Sequence, residues 1–220
     1  MLGDVLLINE KHKSAAQSIY HFLQERLKSK KKGYRYIVAI SGESGAGKSE
    51  LSHSLALLLK KQGQRVKILH TDNYYKVPPN LRTEWRKKNG IEKVGVKEYD
   101  WTLLKRNIKE FKEGREALMP CIDIVSKQTD KLITNFRDID ILVVDGLYAI
   151  KTKDVDLRVY IDLTYLDTKN NRGSRGKENN DEFRSQVLEM EHQQMLALKP
   201  MADLIVSKDF NVEEANKVEA

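Results

Sequence analysis

Hydrophobic and polar residues alternate along the chain in blocks that predict strands and helices in turn. The apolar runs Tyr36–Ser41 and Ile141–Asp145 are short and rich in β-branched residues, which is typical of strands buried on both faces. Because such runs alternate with stretches of helical spacing, the chain is predicted to be an α/β protein with a mostly parallel central sheet of about five strands, flanked by helices. The remaining core strands are predicted at Arg65–His70, Arg158–Asp162 and Asp203–Val206.

The helices are predicted from apolar spacing and from residues that favour helix ends. The first is expected at about Lys13–Lys31, where Ser14 and Gln17 have the spacing of a capping box and Gly33 follows the last turn. Further helices are predicted to follow the glycine-rich turn at Gly47, to follow an aspartate cap at residue 100, and to cover about residues 181–198.

Other segments lack a helical pattern. Lys76–Lys97 is polar and contains proline and glycine, so it is predicted to be mostly loop, with room for one helical turn. Cys121–Val125 and Leu132–Asn135 are predicted to pair as a hairpin outside the main sheet. We expect residues 1–33 to form an N-terminal helical extension and residues 34–220 to form one domain.

Composition excludes several classes of protein. The net charge is +7, but the basic stretch Lys28–Lys32 has no interleaved aromatic residues, so we expect no nucleic-acid partner. The longest strictly apolar run, Leu55–Leu59, is far below the roughly 20 residues that cross a membrane. We expect no signal peptide, and the single cysteine, Cys121, fits a reducing compartment, so the protein is expected in the cytoplasm.

The turn between the first strand and the second helix matches the pattern G-x-x-x-x-G-K-S. Glycines let the backbone curl so that successive N–H groups converge on one anion, and the following helix directs unpaired N–H groups to the same place. In such a loop, Lys48 reaches the β- and γ-phosphates and the Ser49 hydroxyl is placed for Mg²⁺. The motif predicts an ATP site formed by Gly42, Glu43, Ser44, Gly45, Ala46, Gly47, Lys48 and Ser49.

Four residues outside this motif are candidates for phosphoryl transfer. Asp145 ends a strand expected beside the loop, where it could bind Mg²⁺ directly or through water, although many buried strands end in aspartate. Asp72 could accept the proton of an attacking hydroxyl, hold a metal-bound water, or cap a turn. Arg172 and Arg175 could stabilise charge on the phosphate or remain in solvent. The residues alone leave these alternatives open.

Together these motifs resemble the uridine kinase and phosphoribulokinase family of P-loop kinases, over about Tyr36–Val206. Asp72–Lys76 resembles the family's Asp-Ser-Phe-Tyr-Lys/Arg, and Tyr99–Trp101 resembles its Phe-Asp-Trp. Val144–Ala149 resembles Val-Glu-Gly-Ile/Leu, with aspartate in place of the usual glutamate. The resemblance implies the P-loop NTPase fold, with a small substrate hairpin and a lid segment at about residues 164–186.

The resemblance also implies roles for individual residues. Asp72 corresponds to the family's catalytic base, which can also approach Mg²⁺. Counting without gaps from the strand at residues 158–162 places Arg172 and Arg175 on two arginines of the lid. Catalysis is therefore expected from these three residues with Lys48. The expected metal ligands are Ser49, Asp145 and Asp72, and the expected substrate contacts are Tyr75, Asp123 and Lys127.

The substrate hairpin departs from that of uridine kinases, which reads Pro-x-Tyr-Asp-Phe-x-x-His. Here Pro120–Lys127 reads Pro-Cys-Ile-Asp-Ile-Val-Ser-Lys. Ile122 has no ring to stack on a base, and Lys127 cannot accept a hydrogen bond as a neutral histidine can. We therefore expect that uridine and cytidine are not the best acceptors, and that Lys127 either attracts a negatively charged acceptor or points to solvent.

The leading functional hypothesis is an ATP- and Mg²⁺-dependent kinase that phosphorylates a hydroxyl of a nucleoside, sugar, sugar phosphate or similar small metabolite. The lid also departs from the family, with Arg175-Gly176 and Asn180-Asp181 where Arg-Asp and Arg-Gly are usual. A nucleotide-binding regulatory protein with little turnover is therefore the alternative. A GTPase is disfavoured because Asn-Lys-x-Asp is absent, the nearest match being Asn216–Glu219. Whether the chain forms a homo-oligomer stays open.

Overall fold

The structure, a computed structural model, describes residues 5–126, 128–169 and 181–215. Eight strands are seen in these ranges: β1 Tyr36–Gly42, β2 Val66–His70, β3 Glu116–Asp123, β4 Gln128–Asn135, β5 Ile141–Asp145, β6 Leu157–Ile161, β7 Leu204–Val206 and β8 Val212–Glu214. The helices seen there are α1 Glu10–Lys28, α2 Lys48–Lys61, α3 Pro79–Asn89, α4 Trp101–Lys112 and α5 Glu182–Leu198.

The central sheet has six strands in the order β2-β5-β1-β6-β7-β8. All neighbours are parallel except β7 and β8, which are antiparallel. The expected α/β fold with a mostly parallel sheet is confirmed, with one strand more than predicted. Val212–Glu214 was missed because three partly polar residues at a sheet edge carry no strand pattern. The predicted hairpin outside the main sheet is also confirmed, as β3 paired with β4.

Alternate residues of β1 face two separate apolar layers. Val38 and Ile40 pack with α1 and α2, whereas Ile37 and Ala39 pack with α4, β3 and the apolar face of α5. All seven residues of β1 are buried, as expected for a strand covered on both faces. This strand therefore holds the residues that follow it in a fixed position at one edge of the sheet.

The first helix begins earlier than the sequence predicted. Asn9 caps it, because the Asn9 side chain accepts a hydrogen bond from the His12 backbone N–H at 3.3 Å and the His12 ring accepts one from the Asn9 N–H at 3.1 Å. The predicted capping box at Ser14 and Gln17 is therefore wrong. The buried side chains of α1, including Ile19, belong to the same apolar layer as α2.

The segment Lys76–Lys97 was wrongly predicted to be mostly loop, because it contains the eleven-residue helix α3. Pro79 stands at the first position of this helix, where its fixed φ favours a helix start, and Gly90, with φ +94°, ends it. The only buried residue of α3 is Arg86, so the helix has no apolar stripe that a sequence pattern could reveal.

A buried ion network attaches α3 to α5. The Arg86 guanidinium donates two hydrogen bonds to the Glu98 carboxylate, at 2.7 and 2.8 Å, and a third to Glu191 of α5 at 3.3 Å. A planar guanidinium matches a carboxylate with two parallel bonds, which fixes orientation as well as distance. The network therefore sets the position of α5 relative to α3 and the segment before α4. None of the helices in the described ranges has the length and apolarity to cross a membrane.

Candidate active site

The predicted motifs meet at one edge of the sheet, where three neighbouring parallel strands end. In the strand register, Asp145 lies level with Ile40 of β1 and with His70 of β2. The loop Gly42–Ser49 continues from β1, and Asp72 follows β2. Ligands of open α/β sheets bind at the carboxyl ends of the strands, so this edge is the candidate active site.

The loop after β1 has the conformation of an anion site. Gly45 and Gly47 have φ values of +80° and +83°, a region that residues with a Cβ rarely adopt. Gly47 is also the N-cap of α2, and a Cβ there would lie 2.9 Å from His12 Nε2. The first N–H groups of α2 have no partner within the helix, so they and the helix dipole favour a phosphate at this point.

Lys48 lies over the same loop. Its ammonium donates a hydrogen bond to the Glu43 backbone carbonyl at 2.9 Å, so the charge is held beside the N–H groups of the loop. The side chain is half-buried and its charge contributes to the electrostatics of Asp145 at the end of β5. A cation in this position can follow a terminal phosphate during transfer.

Asp145 is a buried carboxylate with one oxygen engaged and one free. Its Oδ2 accepts hydrogen bonds from the Ser49 hydroxyl at 3.0 Å and from His70 Nδ1 at 2.9 Å. Burial alone would raise the pKa of Asp145, but the hydrogen bond and charge of His70, the charge of Lys48 and the Ser49 hydroxyl hold that pKa below its ordinary value. Oδ1 is buried and has no hydrogen-bond partner among the described residues.

This arrangement fits a magnesium ion. Mg²⁺ usually binds one or two carboxylates and the phosphates of the substrate, and keeps several waters. The unpaired, ionised oxygen of Asp145 and the adjacent Ser49 hydroxyl are ligands of that kind. No group of three or more His, Cys, Asp or Glu side chains within the described ranges forms a metal cage of its own. The metal would therefore depend on the nucleotide for part of its coordination.

Two histidines beside Asp145 were missed by the sequence analysis. His70 bonds the carboxylate directly, and the His53 ring of α2 stacks on the His70 ring with centroids 6.0 Å apart. Burial and the nearby His70 lower the pKa of His53, so this ring is neutral near pH 7. Sequence spacing could not reveal these residues. The proximity of His70 to Asp145 follows from the pairing of β2 with β5, which the sequence alone does not give.

Glycine after Asp145 allows the end of β2 to approach closely. A Cβ on Gly146 would overlap the Thr71 hydroxyl, so any other residue would push the two strand ends apart. Thr71 begins the short 3-10 turn Thr71–Tyr74, which carries Asp72. The Asp-Gly sequence at the end of β5 thus lets the turn that carries Asp72 begin close to the end of β5.

Asp72 is half-buried beside a group of tyrosines. Burial, and then Tyr75 and Asp72, raise the pKa of Tyr99 well above its ordinary value, so this hydroxyl stays protonated. The centroids of the Tyr75 and Tyr99 rings lie 4.0 Å apart. The Arg82 guanidinium lies over the Tyr75 ring, 3.4 Å from its centroid. Neighbours within the protein therefore occupy much of the Tyr75 ring surface, and a substrate would meet its edge.

The hairpin lies against the turn that carries Asp72. The Asn73 side chain accepts a hydrogen bond from the Ile122 N–H at 3.1 Å, and the Ile122 side chain is buried. Asp123 accepts from the N–H groups of Val125 and Ser126 at 2.8 and 3.2 Å, and these bonds lower its pKa. Asp123 thus organises the hairpin turn. The predicted substrate residue Lys127 lies outside the described residues, as do Arg172 and Arg175.

Glu43 has an unexpected place for an acid in a phosphate-binding loop. Its carboxylate is buried and accepts hydrogen bonds from His192 Nδ1 of α5 and from the Tyr165 N–H, each at 2.6 Å. The sequence analysis included Glu43 only as part of the motif and missed His192. A carboxylate beside a phosphate site needs hydrogen-bond donors that hold it away from the phosphates. The glutamate in the motif was therefore a signal that a donor such as a histidine lies nearby.

Comparison with known proteins gives the same assignment as the motifs. The family model of the phosphoribulokinase / uridine kinase family matches residues 37–210. A uridine kinase from Staphylococcus aureus (strain JH9) is 28% identical over 184 residues, which cover 77% of this chain and 86% of that protein.

Solved structures share the fold. A D-glycerate 3-kinase from Cryptococcus neoformans superimposes with a TM-score of 0.58 at 13% identity, covering 94% of this chain and all (100%) of that one. A protein described as a possible uridine kinase from Bacillus stearothermophilus gives a TM-score of 0.57 at 20% identity, covering 86% and 97%. The chain therefore belongs to the phosphoribulokinase and uridine kinase family, and it is a kinase of small metabolites.

Proposed function

We propose that the protein is an ATP- and Mg²⁺-dependent kinase that transfers the γ-phosphate to a hydroxyl of a nucleoside, sugar or sugar phosphate. The observation that carries this proposal is the meeting of three groups at adjacent strand ends. These are the phosphate loop Gly42–Ser49, the buried Asp145 with a free oxygen, and Asp72 in the turn that follows β2.

Each group has a distinct task in the transfer. The loop N–H groups and Lys48 hold the phosphates and stabilise charge as it develops. The acceptor oxygen attacks the γ-phosphorus, its proton passes to Asp72, and the bond to the β–γ bridging oxygen breaks to release ADP. Ser49 and Asp145 would hold Mg²⁺, which when bound offsets phosphate charge.

The acceptor side favours a substrate that is not recognised by base stacking. Ile122 is aliphatic and buried in the hairpin, and the Tyr75 ring is covered by Arg82 and Tyr99. Neither residue therefore offers an open aromatic face on which a base could stack. A basic side chain at position 127, which lies between β3 and β4 in the sequence, would attract a carboxylate or phosphate. We therefore propose an anionic acceptor, such as a sugar phosphate or a hydroxy acid.

A panel of acceptors tests this proposal. ADP release is measured with uridine, cytidine, pantothenate-like acids and sugar phosphates, for the wild type and for Lys127→Ala. We expect a higher kcat/KM for anionic acceptors and a selective loss of that preference in the variant. Lys131→Ala, which removes an exposed lysine from β4, is the matched control.

Two results would contradict it. Efficient phosphorylation of uridine that Lys127→Ala leaves unchanged would refute the anionic acceptor. ATP binding without ADP release for any acceptor would instead indicate a nucleotide-binding regulatory protein.

The lid arginines give a separate prediction. Replacing both Arg172 and Arg175 with alanine should cut kcat by about 10²-fold or more and leave the melting temperature nearly unchanged, because arginine fingers act on charge that develops in transfer. Stopped-flow or steady-state rates and a thermal melt measure the two effects. Arg137→Ala, at an exposed remote site, is the control. Normal turnover of the double variant would show that the two arginines have no part in catalysis.

A further inference from the structure

Glu43 places a carboxylate inside a loop that is built to bind anions. The residue is only 3% exposed, and each oxygen of its carboxylate accepts one hydrogen bond. His192 Nδ1 donates to Oε1 and the Tyr165 backbone N–H donates to Oε2, each at 2.6 Å. Both donors come from outside the loop, so they draw the side chain away from it.

His192 is held firmly in place. It lies on α5 next to Glu191, which bonds Arg86, and near Gln194, whose side chain bonds the backbone of the segment before α4. Its ring also packs edge-on against the Tyr165 ring, with centroids 5.7 Å apart. A donor on a helix anchored by these contacts fixes the direction of the Glu43 side chain.

The backbone of Glu43 is part of the phosphate site. Its carbonyl accepts the Lys48 ammonium at 2.9 Å, and the next carbonyl, of Ser44, accepts the Thr168 hydroxyl at 2.7 Å. The Glu43 side chain therefore starts from a residue that lines the phosphate site. If it were released from its two donors and rotated toward the loop, it would bring a negative carboxylate toward the phosphates, and like charges a few ångströms apart repel strongly in a partly buried site.

We propose that His192 is a positioning residue of the nucleotide site, which holds the Glu43 carboxylate away from the bound phosphates. The inference rests on the proposed function, since it requires that ATP binds at Gly42–Ser49. It assigns to α5 a part in ATP affinity, although the helix contributes no residue to the phosphate loop itself.

The proposal predicts a rescue that a merely structural role would not produce. His192→Leu should weaken binding of Mg·ATP about tenfold, because the carboxylate is released. His192→Asn, whose amide nitrogen can replace Nδ1 as donor, should retain most of the affinity. The double variant Glu43→Gln/His192→Leu should bind more tightly than His192→Leu alone, because the released side chain is then neutral.

The Kd is measured by titration with a fluorescent ATP analogue and by competition with ATP, and the KM values for ATP and acceptor are compared. The KM for ATP should rise in His192→Leu while the KM for the acceptor changes little. Gln193→Leu, an exposed neighbour on α5, is the matched control. If His192→Leu lowers the melting temperature, His192→Phe, which keeps a ring against Tyr165, replaces it.

Three outcomes overturn the inference or its basis. Unchanged affinity in His192→Leu would show that the histidine does not position Glu43. A double variant that binds as weakly as His192→Leu would show that charge is not the cause. If the wild type fails to bind ATP, the proposed function itself fails, which separates that case from the other two.

Discussion

Replacing Lys48 with alanine is expected to abolish measurable phosphoryl transfer, a loss of at least 10²–10³-fold in kcat. The ammonium is held over the phosphate loop by the Glu43 carbonyl at 2.9 Å, where it can stabilise charge on the transferring group. Among the residues that the structure describes, the ammonium hydrogen-bonds only to this loop, so the folded structure should persist. ADP release with the best acceptor and a circular dichroism melt measure the two properties.

Lys61→Ala is the matched control for this variant, because Lys61 is an exposed lysine at the far end of the same helix, α2. The control should keep wild-type kcat and melting temperature. Full activity in Lys48→Ala would refute the assignment of the phosphate site, whereas an unfolded variant would show that Lys48 serves the fold.

Asp72→Asn is expected to lower kcat by about 10²-fold or more while the affinity for ATP changes little. An asparagine keeps the size of the side chain but cannot take a proton from the acceptor hydroxyl. Asp72 lies on the turn beside the hairpin, not in the phosphate loop, so binding of the nucleotide should not depend on its charge. Single-turnover rates and the Kd for Mg·ATP are compared in the two proteins.

The control is Asp138→Asn, which neutralises an exposed aspartate before β5, away from the candidate site. The opposite pattern would change the role of Asp72. If binding of Mg·ATP collapses and kcat survives at saturating nucleotide, Asp72 is a metal ligand rather than the general base.

Sequence patterns were most informative where the conformation of a residue depends on its neighbours in the sequence. The fully buried β1 and the glycine-rich turn after it were predicted closely, because short apolar runs and positive-φ glycines are local features. The helix α3 was missed for the opposite reason. Its buried residue is Arg86, and only the distant carboxylates of Glu98 and Glu191 make burial of that side chain favourable.

The same limit applies to the candidate site. The sequence suggested Asp145 because it ends a hydrophobic run. The hydrogen bond from His70 to Asp145 depends on the strand order β2-β5-β1, which sequence spacing does not predict. His192 lies on α5, far along the chain from the Glu43 carboxylate that it contacts. Both histidines bond acids through tertiary contacts, so their partners could not be identified before the fold was known.

The strand order also has a consequence for the synthesis of the chain. β1 leaves the ribosome early, yet both of its neighbours come much later, since Tyr36 pairs with Ile141 and Val38 pairs with Leu157. β2, which is made soon after β1, does not contact it within the sheet. The nascent chain therefore carries an apolar strand with two open edges until β5 and β6 have been translated. Such exposed edges can pair with other chains, so we expect the nascent chain to be most prone to aggregation before its second half has been translated.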